Sequence, residues 1–391
     1  MISYQEAIQL VLQHQPCQSS FRIDLEHALG YKLAQPVVAD RDYPPFNRSA
    51  MDGIAINHID YKNGLRKFHV LETIYAGEKA THTLSCGGCY KIMTGAAVPQ
   101  TASAVIRLED LIAVSENAYA VHNNDIKLNE NTALKGQDLL RGTAIINDGM
   151  TITPSIISLL ATFGIHRPMV KRPLSVGLFT TGNEVISIYK TPNETQIRNS
   201  NRYLLDSLLR KNGVEAIHKE HLSDDFDHIY NSLSNHLNHD IIIVNAGISV
   251  GEKDYVPEVL HKLGAKRLFH KVAIKPGKPI WCGTLPSGGI IFGLPGNPFS
   301  CLVTFTLFVQ PLLHSSIISP LRLPLKTNRK GKTKLDEFFP VRLLRQKGVL
   351  EPVPINGSGD VRLGLMSDGI ALHPSGYTDL NAMNEIDFYA F

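Results

Sequence analysis

The sequence of 391 residues predicts a multidomain protein that joins a doubly wound α/β domain to β-rich domains. The segment 240–244 is almost entirely branched and apolar, as expected of a central parallel strand that is covered on both faces. Strand-like and helix-like segments alternate around it from 172 to 318, the pattern of a doubly wound α/β domain. Short apolar runs separated by Gly, Asn and Pro fill 42–141 and indicate a β-rich domain. The turn-rich segment 319–391 predicts a small C-terminal β-barrel.

The remaining segments, 1–41 and 142–171, are predicted to form one N-terminal helical and linker domain, after whose first segment the β-rich domain is inserted. Ser3 and Glu6 have the spacing of a capping box, and apolar residues at helical spacing follow them. In the second segment, Thr153 precedes a proline, the residue that favours the first position of a helix. These signals predict one helix that begins just after Ser3 and another that begins at Pro154.

Apolar periodicity and helix-ending glycines predict the other elements. A second short helix is expected over 24–29 and a strand over 32–38. The predicted elements of the α/β domain are a strand over 174–179 and helices over 200–211, 224–237, 255–263 and 298–308. In such a fold, ligands bind beyond the carboxyl ends of the strands, so the loops that follow the strands are the first place to search for a site.

Composition narrows the function classes. A net charge of +3 gives no reason to expect a nucleic acid or a membrane as partner. The longest apolar stretch, 301–313, is too short to cross a bilayer, no secretory signal is visible, and five cysteines are too few for a disulfide framework. We therefore expect a cytoplasmic protein. The single pair Cys86 and Cys89 is expected to hold no metal, and the histidines, including His236 and His239, are interpreted as surface or packing residues.

Four loops of the α/β domain combine glycines with lysines or carboxylates. They span 180–184, 245–251, 271–278 and 293–297. Backbone N–H groups in glycine-rich turns and at helix starts attract anions, and lysine adds positive charge. A carboxylate beside them would repel a phosphate unless a divalent cation lay between the two, which is how Mg²⁺ usually meets phosphates. From the residues alone, this domain is predicted to bind a phosphorylated ligand together with Mg²⁺.

The β-rich domain gives a weaker signal. Asp52 lies in a proline-rich segment, and from the residues alone we interpret it as a turn carboxylate that bonds its own backbone.

Longer motifs resemble those of a known family, the MoeA and gephyrin E-domain family of molybdenum insertases. The matching segments are 44–55, 92–99, 181–185, 248–255, 272–279 and 293–298, and 357–359 fits the last domain of the family. The motifs follow one another in the family's order, and the resemblance extends from the first helix to the tail, so chance agreement is negligible.

The resemblance implies a molybdopterin molybdotransferase that acts in the final step of molybdenum cofactor biosynthesis. Such an enzyme transfers molybdate to adenylylated molybdopterin, and AMP is released in an Mg²⁺-dependent reaction. The implied substrates are molybdopterin-AMP and molybdate, and the implied cofactor is Mg²⁺. The resemblance also implies a cytoplasmic homodimer in which each active cleft is shared between two subunits. The preceding adenylylating enzyme and the acceptor molybdoenzymes are the implied protein partners.

The resemblance also implies roles for individual residues. The implied catalytic residues are Asp52, Thr94, Asp138, Glu184 and Asp254. The implied substrate-binding residues are Gly247, Ser249, Gly251, Lys271, Lys275, Lys278, Pro295, Gly296, Asn297 and Ser358. The implied metal ligands are Glu184, Asp254 and Asp224. These residue types fit the chemistry, because release of AMP from a phosphoanhydride requires the charge on the phosphates to be neutralised.

Two positions depart from the family pattern. Asn183 stands where the family has Asp, which removes a negative charge beside Glu184 and predicts altered metal binding. Ala246 stands where the family has Gly, and a side chain there disfavours a backbone with positive φ.

Two other functions are compatible with parts of the sequence. Relatives of this family serve as non-catalytic scaffolds, and the molybdopterin adenylyltransferase that acts one step earlier resembles the α/β domain alone. The carboxylates at Asp52, Asp138, Glu184 and Asp254 favour an enzyme over a scaffold. The motifs at 44–55 and 92–99 lie outside the α/β domain and argue against the adenylyltransferase.

Overall fold

The computed structural model of the protein describes residues 1–122, 125–248, 254–331, 334–362 and 366–391. Within these ranges the chain forms two compact units. The first, called the α/β unit below, contains 1–19 and 172–391, and the second, called the β unit, contains 20–171. None of the helices in the described ranges combines the length and the apolar composition needed to cross a membrane.

The helices are α1 (Tyr4–Gln13), α2 (His58–Lys62), α3 (Pro154–Thr162), α4 (Ser200–Lys211), α5 (Phe226–Ser234), α6 (Val256–Lys262), α7 (Pro298–Thr304) and α8 (Gln310–His314). Short 3₁₀-helices cover Leu25–His27 and Leu108–Asp110, and a π-helix over Phe305–Val309 joins α7 to α8.

The strands of the β unit are β1 (Ser20–Arg22), β2 (Val37–Val38), β3 (Arg48–Ser49), β4 (Gly53–Ile56), β5 (Lys67–Ile74), β6 (Gly88–Ile92), β7 (Ala104–Arg107), β8 (Leu111–Ser115), β9 (Ala118–Val121), β10 (Thr132–Ala133), β11 (Ala144–Ile146) and β12 (Met169–Lys171). The strands of the α/β unit are β13 (Val176–Thr181), β14 (Val185–Ile186), β15 (Ile197–Arg198), β16 (Ile217–Leu222), β17 (Ile241–Asn245), β18 (Lys266–His270), β19 (Ile274–Lys275), β20 (Trp281–Thr284), β21 (Ile290–Leu294), β22 (Leu321–Pro324), β23 (Arg329–Lys330), β24 (Asp336–Leu344), β25 (Val349–Pro352), β26 (Gly369–His373), β27 (Asp379–Leu380) and β28 (Glu385–Ala390).

The β unit is built on a six-stranded sheet in the order β7-β4-β6-β5-β9-β8. Strand β4 is buried on both faces, with Ile54 and Ile56 in one core and Ala55 in the other. Gly53, its first residue, leaves no room for a side chain, because an added Cβ would lie 1.9 Å from the carbonyl oxygen of Ile106. This close approach of β4 and β7 fixes the position of the turn that precedes β4.

The α/β unit contains a second six-stranded sheet, in the order β16-β13-β17-β21-β20-β18. Its first four strands are parallel to one another, β20 is antiparallel to β21, and β18 is antiparallel to β20. Along β17, Ile241 and Ile243 enter a core shared with α1, α4 and α7, whereas Ile242 and Val244 enter a core shared with α5 and α6. Helices therefore cover both faces of the sheet, which confirms the predicted doubly wound fold.

The C-terminal strands close into a small barrel. Strands β24, β26, β28 and β22 pair in that order, and β25 pairs with the other edge of β24. A parallel bridge between Leu325, which follows β22, and Leu350 in β25 joins the two ends of this array. The barrel interior contains Phe339, Val341 and Phe388. The predicted C-terminal β-barrel is thus confirmed.

Both predicted helix starts are confirmed. Ser3 and Glu6 form a reciprocal capping box at α1, and the Thr153 side chain accepts a hydrogen bond from the backbone N–H of Ile156 at α3. Helix α1 packs in the core of the α/β unit through residues such as Ile8 and Val11, whereas α3 packs in the β unit around Leu160. The predicted division into four domains stays a prediction, and this packing assigns α1 and the segment 142–171 to different compact units.

Two predicted elements of the β unit are shorter than expected. The helix predicted over 24–29 is a 3₁₀-helix over Leu25–His27. The strand predicted over 32–38 is limited to Val37–Val38, with isolated bridges at Lys32 and Leu33. Pro36 explains the interruption, because proline has no backbone N–H to donate to a neighbouring strand.

Two predicted helices of the α/β unit have different ends. The helix predicted over 224–237 is Phe226–Ser234, because the Asp225 side chain accepts a hydrogen bond from the backbone N–H of His228 and so caps the helix. The helix predicted over 298–308 continues through the π-helix and α8 to His314. Pro311 cannot donate a hydrogen bond to the carbonyl four residues earlier, and the wider π-helical turn accommodates it.

Candidate functional site

A cavity of about 850 Å³ opens beyond the carboxyl ends of β13, β17 and β21 in the α/β unit. This is the edge at which parallel sheets of doubly wound domains bind ligands. Its lining includes the predicted site residues Glu184, Gly247, Asp254, Lys275, Lys278, Pro295, Gly296, Asn297 and Ser358. The tertiary structure therefore brings together four loops and one barrel segment that are far apart in the sequence.

The floor of the cavity is organised by a buried amide network. The Asn245 side chain, at the end of β17, donates a hydrogen bond to the carbonyl of Pro295 at 2.8 Å. The Asn201 side chain, in the first turn of α4, donates to Asn245 Oδ1 at 2.9 Å and to the carbonyl of Gly296 at 2.6 Å. Because both amides are buried, these bonds satisfy polar groups that would otherwise be costly to bury. The network thereby fixes the glycine-rich loop that follows β21 against α4.

Ala246 and Gly247 turn the chain sharply after β17. Both have positive φ, 77° at Ala246 and 66° at Gly247. An added Cβ on Gly247 would lie 2.9 Å from Thr181 Oγ1, so this position has no room for a side chain. Ala246 adopts the conformation that its methyl group disfavours, which costs roughly 1–2 kcal/mol for an L-residue. The family glycine is therefore explained by the backbone geometry, and this chain forms the same turn at some cost in stability.

The loop after β13 carries Glu184 at the mouth of the cavity. Gly182 has φ 129°, and an added Cβ there would lie 2.9 Å from Glu184 Oε1. A larger residue at this position would therefore collide with the Glu184 carboxylate. Asn183 and Asp224 clamp the loop reciprocally. The backbone N–H of Asn183 donates to Asp224 Oδ2 at 3.0 Å, and the backbone N–H of Asp224 donates to Asn183 Oδ1 at 3.1 Å. Asp224, predicted as a metal ligand, thus uses one carboxylate oxygen to hold this loop.

The lysines lie on a tight turn between β19 and β20. Lys275 and Lys278 line the cavity on either side of Gly277, which has φ 98°. An added Cβ on Gly277 would lie 2.6 Å from Cγ2 of the buried Thr304, so the turn packs directly on α7. Lys271 stands at the start of the same segment, where its backbone N–H donates to the carbonyl of Ile280 at 3.0 Å.

Ser358 comes from the barrel and lies over the start of α7. The Asn297 side chain donates a hydrogen bond to Ser358 Oγ at 2.9 Å, and the backbone N–H of Phe299 donates to the carbonyl of Ser358 at 3.0 Å. The start of α4 also lines the cavity through Ser200 and Asn201. Helix starts attract anions because their first N–H groups have no partner within the helix.

Within the described ranges, Thr181 Oγ1 and Asn201 Oδ1 are buried and have no hydrogen-bond partner. Both residues line the cavity. Sequence reasoning did not select Asn201, since an asparagine in the first turn of a helix is common at ordinary caps. The predicted residues Ser249 and Gly251 lie outside the described residues.

The other predicted catalytic residues belong to the β unit. Asp52 precedes β4, and Thr94 follows β6, which is antiparallel to β4, so the two residues meet at one end of the sheet. Asp52 Oδ1 accepts hydrogen bonds from Thr94 Oγ1 and from the Thr94 backbone N–H, each at 2.7 Å. These two bonds hold the pKa of the Asp52 carboxyl below its usual range. The partner of Asp52 is therefore Thr94, whereas the residues alone suggested only a bond to its own backbone.

Asp138 lies on a separate exposed loop of the β unit. Its backbone N–H donates a hydrogen bond to the carbonyl of Tyr43 at 3.0 Å. In the same unit, Cys86 is exposed and Cys89 is buried, and burial raises the pKa of the Cys89 thiol to about 12. Cys89 is therefore a protonated core residue at neutral pH.

The chain is similar to known proteins over its whole length. Residues 2–164 match the family described as "MoeA N-terminal region (domain I and II)", and residues 177–315 match "Probable molybdopterin binding domain". A relative from Synechocystis sp., named molybdopterin molybdenumtransferase, is 32% identical to this chain, and the match covers 100% of both proteins. A protein of the same name from Staphylococcus epidermidis is 30% identical over 99% of this chain and 94% of its own. A solved structure of a molybdopterin biosynthesis moeA protein from Pyrococcus horikoshii OT3 has a TM-score of 0.84 and 25% identity, with 100% of each chain covered.

The turn at Ala246 can be tested by substitution. We expect Ala246→Gly to raise the thermal unfolding midpoint, because removing the methyl group relieves roughly 1–2 kcal/mol of backbone strain. The greater freedom of glycine in the unfolded chain offsets about 0.4–1 kcal/mol of this gain. The matched control is Ala216→Gly at an exposed position before β16, which should lower the midpoint. Equal losses in both variants would contradict the assignment of strain to Ala246.

Proposed function

This chain belongs to the molybdopterin molybdenumtransferase family, and from that membership we propose that it transfers molybdate to adenylylated molybdopterin with Mg²⁺-dependent release of AMP. The family places the protein among the transferases of molybdenum cofactor biosynthesis. The observation that carries the finer proposal is one cavity in which two carboxylates, Glu184 and Asp254, lie together with two lysines, Lys275 and Lys278. A phosphoanhydride would pair with the lysines, and a divalent cation bound to it would pair with the carboxylates.

The phosphate groups of the substrate are assigned to the lysines of the cavity. Lys275 and Lys278 provide positive charge, and the start of α4 adds backbone N–H groups. Gly296, in the loop over 293–297, is exposed and lines the cavity, so its backbone is available to a ligand there. Lys271, at the start of the same segment, is not among the described residues that line the cavity.

The carboxylates that line the cavity fit Mg²⁺. Glu184 and Asp254 supply carboxylate oxygens, the ligand type that Mg²⁺ prefers, and the remaining positions would be filled by water and phosphate oxygens. When bound, the ion would neutralise charge on the phosphates as AMP leaves. Asp224 contributes as a positioning residue, since its bonds with Asn183 hold the loop that carries Glu184.

The β unit is assigned the proton and water chemistry. Asp52 is ionised at neutral pH, and the two hydrogen bonds from Thr94 fix one of its oxygens. An ionised carboxylate in a fixed orientation can position a water molecule or accept a proton from the pterin dithiolene. Asp138 is assigned the same kind of role on its own loop. We propose that each complete site also requires a second subunit, as the family resemblance implies.

The two other functions have less support. A scaffold does not require charged residues of both signs to converge on one cavity, as Glu184, Asp254, Lys275 and Lys278 do. An adenylyltransferase resembling only the α/β domain would not require the N-terminal region, yet residues 2–164 match the family over their whole length.

The reaction can be tested with purified protein, molybdopterin-AMP, molybdate and Mg²⁺. We expect AMP release and reconstitution of an apo-molybdoenzyme. Glu184→Gln keeps the shape of the side chain and removes its charge, so we expect AMP release to slow by about 10²–10³-fold, the usual effect of removing one electrostatic contact to a transition state. The matched control is Glu215→Gln, an exposed position of the same unit, which should keep the wild-type rate. Wild-type rates in both variants would rule out the proposed role of Glu184.

The departure at Asn183 gives a second test. Asn183→Asp keeps an oxygen that accepts from the Asp224 backbone and restores the family's negative charge beside Glu184. We expect the Mg²⁺ concentration for half-maximal AMP release to fall. Titration of both proteins with Mg²⁺ measures this, with circular dichroism as the control for folding. An unchanged or higher Mg²⁺ requirement would show that this position does not tune the metal.

The proposed sharing of sites between subunits gives a third test. Asp52→Ala and Asp254→Ala are each expected to be inactive as homodimers. When the two are co-expressed with different tags, one site of a mixed dimer receives both substitutions and the other receives neither. Dimers that carry both tags should therefore release AMP at about half of the wild-type rate, from symmetry counting. Background activity in well-folded mixed dimers would show that each site is built within one subunit.

A further inference from the structure

Three imidazoles and one carboxylate gather at the outer edge of the α/β sheet, at a place that the proposed reaction does not use. His218 and Glu220 are two residues apart on the edge strand β16, so their side chains lie on the same face. His236 and His239 lie in the turns that follow α5, the helix that covers this face. One nitrogen of His218, one nitrogen of His236 and one oxygen of Glu220 all lie within 4.8 Å of one another.

The rings are packed against one another. His218 and His236 stack with ring centroids 3.9 Å apart, and His239 stacks on His236 at 5.5 Å. The ring of Phe179 lies beside both His218 and His236, at 5.6 and 5.5 Å. Gly177, opposite His218 on β13, makes room for the stack, because an added Cβ would lie 3.1 Å from Cδ2 of His239. The rings are therefore closely packed, and His218, Glu220 and His236 remain partly exposed.

The carboxylate is also held in place. Glu220 Oε2 accepts a hydrogen bond from Ser232 Oγ at 2.8 Å and lies 3.3 Å from His218 Nε2. Ser232 is buried in α5, so the carboxylate is oriented by the same helix that leads to His236. Such a hydrogen bond to the carboxylate is the usual support of a metal-ligating group.

We propose that His218, Glu220 and His236 bind one divalent transition-metal ion, and that Zn²⁺ fits the site best. Two imidazoles and one carboxylate are a recurrent zinc ligand set, with water in the fourth position. Tetrahedral bonds of about 2.0–2.1 Å place ligand atoms roughly 3.3–3.5 Å apart. The three candidate atoms now lie within 4.8 Å of one another, so binding requires side-chain rotations that bring them to this spacing. Mg²⁺ is disfavoured here, because it prefers oxygen ligands and keeps much of its water.

The ion would add a link between two elements that are already joined in the chain by residues 223–225 and by the hydrogen bond from Ser232 to Glu220. His218 and Glu220 belong to the edge strand, and His236 belongs to the turn after α5. Edge strands expose unpaired backbone groups, so a metal bridge at this position would secure the outermost strand to its covering helix. The site is separate from the catalytic cavity, which contains none of these residues in its described lining.

The test uses the full chain with any histidine tag removed, stripped with a chelator and dialysed against Zn²⁺ in excess Mg²⁺. We expect one Zn²⁺ per chain by elemental analysis, with two imidazole ligands by X-ray absorption. His218→Gln and His236→Gln should each weaken Zn²⁺ binding by at least about tenfold, and the double variant should retain none at this site. The matched control His261→Gln, on the exposed face of α6, should bind as the wild type does. Circular dichroism checks that every variant is folded.

Two results would overturn the proposal. One is a wild-type chain that retains no Zn²⁺ after dialysis. The other is full retention in the folded His218→Gln/His236→Gln double variant, which would place the ion elsewhere. Glu184→Gln distinguishes this site from the catalytic cavity, because the proposal requires that variant to keep its Zn²⁺. Loss of Zn²⁺ in Glu184→Gln would assign the ion to the catalytic cavity and contradict the proposal.

Discussion

The buried amide of Asn245 holds together the sheet edge on which the cavity is built. Its oxygen accepts from Asn201 in α4 and its nitrogen donates to the carbonyl of Pro295, so three segments depend on one side chain. Inside a protein, such bonds are stronger than in water, and an unmade bond is correspondingly costly. An aliphatic residue here would leave the Pro295 carbonyl and the Asn201 amide without this partner. The loop over 293–297 would then lose the constraint that places Gly296 and Asn297 at the cavity.

Glycines complete this constraint where backbones approach closely. Gly247 faces Thr181, Gly277 faces Thr304, and in each case an added Cβ would lie within 3 Å of a side-chain atom. The turn at Ala246 also requires a positive φ, and it forms there although alanine has a methyl group that disfavours this conformation. The loops around the cavity are thus fixed by packing, which holds Lys275 and Lys278 at the cavity.

Electrostatics explain why such a cavity needs both signs of charge. Lysines and helix starts attract an anionic substrate, whereas Glu184 and Asp254 alone would repel it. The proposed Mg²⁺ converts that repulsion into binding. The loss of the family's Asp at position 183 is tolerated structurally, because the Asn183 amide oxygen accepts the same kind of hydrogen bond from the Asp224 backbone. The loss of the negative charge at position 183 is an electrostatic effect that this hydrogen bond does not compensate.

Local chemistry in the sequence determined much of this protein. Capping residues at Ser3 and Thr153 and the apolar strand around Ile243 predicted their elements, because these signals act over a few residues. The family motifs located most of the cavity lining in the same way. Even so, the ends of individual helices followed from contacts such as the cap at Asp225, which the apolar pattern does not encode.

Only the tertiary structure decided which distant residues meet. Asp224 reaches Asn183 from 41 positions away, Ser358 reaches Asn297 from 61, and α1 packs with the α/β unit although the β unit separates them in the chain. The imidazole of His236 meets that of His218 across α5, so no spacing rule for metal ligands applies to the pair. Such contacts depend on how helices pack on a sheet, which is set by the combined burial of many apolar side chains. No single motif carries that information, and for this reason the sequence predicted the loops of the site but not their partners.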